Sequence, residues 1–168
     1  MTHTTMIPSV NWEAELAARL ALFGHRNWIV VADAAYPAQA AAGIETVLTG
    51  VSQTKILAAV AQAIAESAHA RARIFVDREL DFIQEQDAPG IERYKQDLAA
   101  LLAASNLQRL PHEQIIANLD RAAQLFRILI LKTSMTIPYT SVFFELDCGY
   151  WDDPSEHRLR HAITLSES

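Results

Sequence analysis

A three-layer α/β fold, with a mostly parallel central sheet and helices on both of its faces, is what this sequence predicts. Two observations lead there. Short apolar runs such as Trp28 to Ala32 and Val142 to Leu146 read as buried strands. Stretches with apolar residues at helical spacing separate them, and alternating strands and helices build parallel sheets covered on both sides.

Taken in order, residues 1 to 9 are polar and are expected to fray. From Asn11 to Phe23, Leu16, Ala17, Leu20 and Ala21 recur at helical spacing, with Ser9 or Asn11 available as N-cap. Trp28 to Ala32 follows as a buried strand. Ala38 to Ala42 is a small-residue stretch of open type ended by Gly43, and Ile44 to Leu48 reads as a second strand. Ser52 stands where an N-cap would open a helix carrying Ile56, Leu57, Val60, Ala63 and Ile64 on one face. Arg73 to Val76 is a short β-branched and aromatic strand ending at Asp77. Ala88-Pro89-Gly90 breaks the chain before a helix over Ile91 to Ala104, with Tyr94, Leu98, Leu101 and Leu102 inward. Leu107 to Leu110 reads as a brief strand, and a helix over 112–125 has Pro111 near its start, where proline is tolerated. Phe126 to Leu131 and Val142 to Leu146 are the last strands, joined by a loop from Lys132 to Tyr139.

The length of 168 residues fits one domain, with a core over about 10–151 and a charged C-terminal surface tail over 152–168. A hydrophobic content of 51% is ample for such a core. The net charge of -6 argues against a broad phosphate-binding surface, so nucleic acid is not an expected partner. Cys148 is the single cysteine, which rules out an internal disulfide and a thiolate-rich metal site. No basic-then-apolar leader opens the chain, and no apolar stretch approaches the length that crosses a bilayer. A cytoplasmic protein with no membrane partner is the expectation.

The segment Gly24-His25-Arg26-Asn27, the apolar run after it, and Asp33-Ala34-Ala35-Tyr36-Pro37 carry the strongest suggestion of chemistry. Reactive side chains at strand ends, followed by loops, are how open α/β sheets present their sites. His25 precedes a buried strand, where an imidazole can exchange a proton near neutral pH; the plainer reading is a surface turn. Asp33 could orient an imidazole or bind a ligand hydroxyl, or simply cap its own turn. The two are eight residues apart, so a straight strand would separate them by ~20 Å or more unless the Gly24-His25 segment folds back.

His112 opens a helix, close to backbone amides and the positive end of the dipole, which favours its neutral form. Tyr139 after Pro138 can donate a hydrogen bond to a ligand oxygen or pack with its hydroxyl at the surface. Ser141, two residues on, faces the same side of the strand. His157 and His161 lie one helical turn apart without an evident third metal ligand, and Cys148 has no recognisable activating group. Glycine-rich dinucleotide and nucleotide loops and a Gly-x-Ser-x-Gly elbow are absent.

The ordered set of these motifs resembles the D-ribose pyranase and L-fucose mutarotase (RbsD/FucU) family. Gly24-His25, the apolar strand and Asp33-Ala34-Ala35-Tyr36-Pro37 are similar to that family's opening. Tyr36-Pro37-Ala38 and Glu92-Arg93-Tyr94 look closer to the fucose branch, and Pro111-His112-Glu113-Gln114 is similar to a segment of the ribose branch. Pro138-Tyr139-Thr140-Ser141, an apolar strand and Gly149 complete a likeness over roughly residues 10–151.

The resemblance implies a homo-oligomer assembled as a ring, pentameric or decameric, with monosaccharide sites near subunit junctions. It implies an isomerase that interconverts the cyclic forms of a free sugar by acid/base ring opening, with no metal or organic cofactor. By position, His25 and Asp33 correspond to the catalytic pair, and His112, Tyr139 and Ser141 to substrate-binding positions. A non-catalytic monosaccharide-binding or sensing protein on the same scaffold is the alternative, and an unrelated α/β interaction protein the fallback.

Overall fold

The computed structural model describes residues 11–105 and 107–167, so the expected fraying of residues 1 to 9 lies outside the described residues. Its centre is a six-stranded sheet in the order β2-β5-β1-β6-β3-β4. The strands are β1 (Trp28–Ala32), β2 (Ile44–Leu48), β3 (Ala70–Asp77), β4 (Leu107–Leu110), β5 (Ile128–Lys132) and β6 (Val142–Cys148). Strand β1 runs parallel to β5, β5 to β2, and β3 to β4, while β6 is antiparallel to both of its neighbours, β1 and β3. The parallel strands therefore all finish at one edge of the sheet, where β6 begins.

Helices α1 (Trp12–Leu22), α2 (Gln53–Glu66) and α3 (Ile91–Leu101) cover one face. Their apolar stripes, including Leu16, Leu20, Ile56, Val60, Tyr94 and Leu98, close on Ile29, Val31, Leu129, Leu131 and Phe144. Helix α4 (His112–Ala123) covers the other face, with Ile115 and Leu119 against Trp28, Val30, Phe75, Ile130 and Phe143. Strand β1 supplies alternate side chains to both cores, and all five of its residues are buried. That is why it reads as a continuous apolar run rather than an alternating one.

Local signals account for the helix starts. The Asn11 side chain accepts from the Ala14 N–H and caps α1. Ser52 occupies the N-cap position of α2, though its side chain makes no capping bond. Helix α3 starts from Gly90 at φ 95°, a backbone conformation that glycine adopts without strain. The Glu85 carboxylate accepts from Gly90 N (2.6 Å) and Glu92 N (3.1 Å), satisfying amides that the helix itself leaves free.

Three features differ from the sequence reading. Helix α3 ends at Leu101 rather than Ala104, and Leu101, expected inward, is exposed there. A short 3-10 turn, Arg78–Phe82, continues directly from β3. The charged tail is helical: α5 (Asp153–Ser166) starts with Asp152 accepting from Ser155 N at 2.7 Å, and Pro154 sits in its first turn. None of its residues is buried, so its apolar positions Leu159 and Ile163 never contribute the hydrophobic periodicity of a core helix.

Candidate functional site

At the edge where the parallel strands end, four loops meet. Asp33 directly follows β1, Asp77 is the last residue of β3, His112 is the first residue of α4, and Tyr139 and Ser141 immediately precede β6. Together with Tyr36, Thr136, Ile137 and Pro138 they line a cleft of about 550 Å³. Open α/β sheets bind ligands at this edge because the loops there are free to carry polar side chains without disturbing the packed layers.

Inside the cleft Asp77 is almost fully enclosed, and its Oδ1 lies 3.0 Å from His112 Nδ1. Burial pushes the Asp77 carboxyl above its ordinary value; His112 pulls it down, and the charges of Glu79 and Asp33 add to the rise. With Asp77 ionised, Nδ1 of His112 carries the proton and donates it to the carboxylate, leaving Nε2 as the basic nitrogen. The Glu79 carboxylate accepts from the His112 backbone N–H at 3.1 and 3.2 Å, which pins the start of α4. The ring of Tyr139 meets that of His112 edge-on, 5.5 Å between centroids.

Asp33 is held as an acceptor. Its Oδ1 accepts from Ala35 N at 2.9 Å and its Oδ2 from the Ser141 hydroxyl at 2.9 Å. The same hydroxyl accepts from Asp33 N at 3.1 Å, so Ser141, itself buried, locks the carboxylate to the start of β6. Tyr139 has φ 58°, a left-handed conformation that costs a non-glycine residue of order 1 kcal/mol or more and here turns the ring towards the cleft.

A buried polar knot underlies the loop. Gln53, 1% exposed, donates to Thr140 O (2.6 Å) and Val31 O (3.3 Å) and accepts from Thr133 Oγ1 (2.6 Å). The Tyr94 hydroxyl also donates to Thr140 O at 2.6 Å. These bonds tie the 133–140 segment to α2, α3 and the end of β1, and so place Tyr139 and Ser141.

The structure thus brings Asp33, His112, Tyr139 and Ser141 together and leaves His25 apart. His25 sits before β1, Asp33 after it, and the five-residue strand between them alone spans ~13 Å. The Gly24-His25 segment does not fold back: Arg26 N donates to Leu146 O at the far end of β6. There His25 Nδ1 lies 2.7 Å from Asp147 Oδ1, and Asp147 also accepts from Arg71 Nη2 (2.9 Å) and Cys148 N (2.8 Å). Burial raises the Asp147 carboxyl, but those three donors outweigh it and hold the group below its ordinary value. The second carboxylate of the cleft, Asp77, was read from sequence only as the end of a strand. Its signal was the one that singled out Asp33, an aspartate terminating a buried run. His157 and His161 lie on exposed turns of α5.

With that geometry in hand, comparison with known proteins is decisive at the family level. Residues 7–148 match the profile of the RbsD / FucU transport protein family. The chain belongs to the RbsD/FucU family. Among solved structures, that of Bacillus subtilis RbsD complexed with D-ribose is similar with a TM-score of 0.57 at 19% identity, covering 80% of this chain and 92% of that one. The fucose mutarotase from Streptococcus pneumoniae in complex with L-fucose gives 0.52 at 19% identity, covering 79% and 91%. FucU from Bifidobacterium longum gives 0.54 at 15% identity, covering 79% and 92%. Comparison with curated proteins gives no match. At these identities the likeness establishes the α/β fold, and α5 lies beyond the residues that the family profile spans.

Proposed function

We propose that this RbsD/FucU member is a monosaccharide mutarotase or pyranase whose sugar occupies the Asp33–Asp77–His112 cleft. One observation carries the reading: an imidazole held by a buried carboxylate opens into the same cleft as a second carboxylate, Asp33. Similar folds have been solved with D-ribose and L-fucose bound, which supports a sugar as ligand.

Ring opening of a hemiacetal requires a base for the anomeric hydroxyl proton and an acid for the ring oxygen. Both oxygens are bonded to C1, so one imidazole facing C1 can take the first proton and return it to the second. His112 Nε2 has the tautomer for this, fixed by Asp77. Asp33 accepts hydrogen bonds from sugar hydroxyls, the Tyr139 hydroxyl donates one, and Ser141 holds Asp33 in place. Rotation about the bond to C1 and reclosure complete the exchange. Spontaneous mutarotation is slow but measurable, so a single positioned acid/base worth ~10²–10⁴-fold is sufficient.

His25 with Asp147 is a second acid/base candidate, and it serves this cleft only from another copy of the chain. We therefore assign the protein to a ring-shaped homo-oligomer, pentameric or decameric, whose junctions bring His25 of one protomer towards the cleft of the next. Exchange NMR between anomers of ribose, fucose and galactose tests the activity. Wild type should exceed the buffer rate, and H112Q should lose about 10²-fold of the acceleration. Activity regained on mixing inactive H25Q with inactive D33N would establish shared sites. Calorimetric binding with exchange at the buffer rate would leave a sugar-binding protein without catalysis.

A further inference from the structure

The wall of the Asp33–Asp77–His112 cleft includes a second phenol, Tyr36, besides that of Tyr139. We infer that Tyr36 is a further substrate-contacting residue, its hydroxyl donating a hydrogen bond to a hydroxyl oxygen of the bound sugar. That role rests on the cleft being the sugar site, and within it Tyr36 selects among sugars by a single oxygen.

Backbone and core together fix where this phenol stands. Tyr36 N donates to Asp33 O at 3.2 Å, closing the turn that follows β1. The ring is 6% exposed and belongs to the core formed with Ile115, Leu119 and Phe143, its centroid 6.4 Å from that of Phe143. A ring already held this way loses little freedom when a ligand arrives, so a contact from its hydroxyl is preorganised. Its one side-chain hydrogen bond among the described residues is as acceptor, from Gln39 Nε2 at 3.3 Å. A phenol oxygen both accepts and donates, which leaves its proton for a ligand.

The charges around Tyr36 make it a donor rather than a base. Burial raises its pKa most, and the carboxylates of Asp120, Asp77 and Asp33 add to the rise, against the opposing bond from Gln39. The hydroxyl therefore keeps its proton at neutral pH. No lysine or arginine lines the cleft, and ionised carboxylates only accept. A sugar hydroxyl donates and accepts, so carboxylates satisfy one half of it and its oxygen needs a donor. A phenol supplies that donor without charge. A cation in its place would pair with Asp77 or Asp33 and compete with the His112 ring and the sugar for them. Gln39, donating into the same oxygen, polarises the phenol and strengthens its outgoing bond.

Y36F removes the oxygen and leaves the ring in its core, so the full-length variant tests the contact. Calorimetry and exchange NMR use ribose, fucose, galactose and the monodeoxy derivatives of whichever of these wild type binds. Y36F should weaken binding about tenfold and raise KM as much, with kcat within about twofold. For the monodeoxy sugar that lacks the contacted hydroxyl, wild type and Y36F should bind equally. A merely structural role produces no such dependence on one sugar oxygen. Q39L reports on the loop: it should cost less than Y36F and show no dependence on the hydroxyl removed. Wild-type affinity retained by Y36F, a loss uniform across the deoxy series, or a Q39L loss equal to that of Y36F would each overturn the contact and leave the cleft as the sugar site. Wild type binding none of these sugars would overturn both.

Discussion

Asp77 and Asp147 show how differently one residue type behaves at the two edges of a single sheet. Asp77 is almost sealed from solvent with one imidazole for company, and its charge is costly; Asp147 has three donors, and its charge is favoured. In D77N the amide can no longer act as a pure acceptor for His112 Nδ1–H, so the ring loses its fixed tautomer. We expect exchange to slow at least tenfold, with calorimetric sugar affinity changed little. For Asp147 the sign of the pH dependence follows from its depressed folded value. The ionised form stabilises the fold above the ordinary value of 3.8, and that contribution fades as pH falls through the lower folded value. Urea denaturation of wild type and D147N should therefore differ by about 1–3 kcal/mol at pH 7, a gap that closes below pH ~3.8. A gap that persisted in strong acid would assign the effect to packing instead.

At the scale of elements, the 133–140 segment depends on a few side chains beneath it. Q53L removes the donor to Thr140 O and Val31 O and the acceptor for Thr133 Oγ1. A cost of about 1–3 kcal/mol by urea denaturation is expected, because buried polar groups are left without partners. KM for the sugar should rise with it as Tyr139 and Ser141 lose their support. Gly149, just after β6, is close to the chain before β3: a Cβ there would meet Ala70 N at 2.8 Å and His69 C at 3.0 Å. G149A should lower stability by roughly 1–3 kcal/mol, since both contacts are backbone and cannot swing aside. Helix α5 is the opposite case. With no buried residue and a tie to β3 through the Arg71–Asp153 pair, whose aspartate is largely exposed, its removal after Asp152 should change core stability by less than about 1 kcal/mol.

At the scale of the whole molecule, the ring expected for this family is open to light scattering: a monomer at micromolar concentration would contradict the shared site proposed for His25. Strand runs such as Trp28 to Ala32 and the helical stripe of Ile56, Val60 and Ile64 were legible in the sequence because burial on one or two faces imposes a repeat that composition records. Asp33, His112, Tyr139 and Ser141 were legible as candidates because each adjoins a strand end or a helix start, and family motifs mark all four. By itself the sequence determined the layers, the core strands and helices, and most of the side chains able to do chemistry, but not α5 or the place of Asp77 in the cleft. Only the tertiary structure decided which of those side chains meet. The parallel pairing of β3 with β4 brings Asp77 under His112, and β6, inserted antiparallel between β1 and β3, sets Asp147 beside His25 at the far edge. Periodicity is a property of neighbours along the chain, whereas strand order arises from packing between segments more than a hundred residues apart, such as His25 and Asp147.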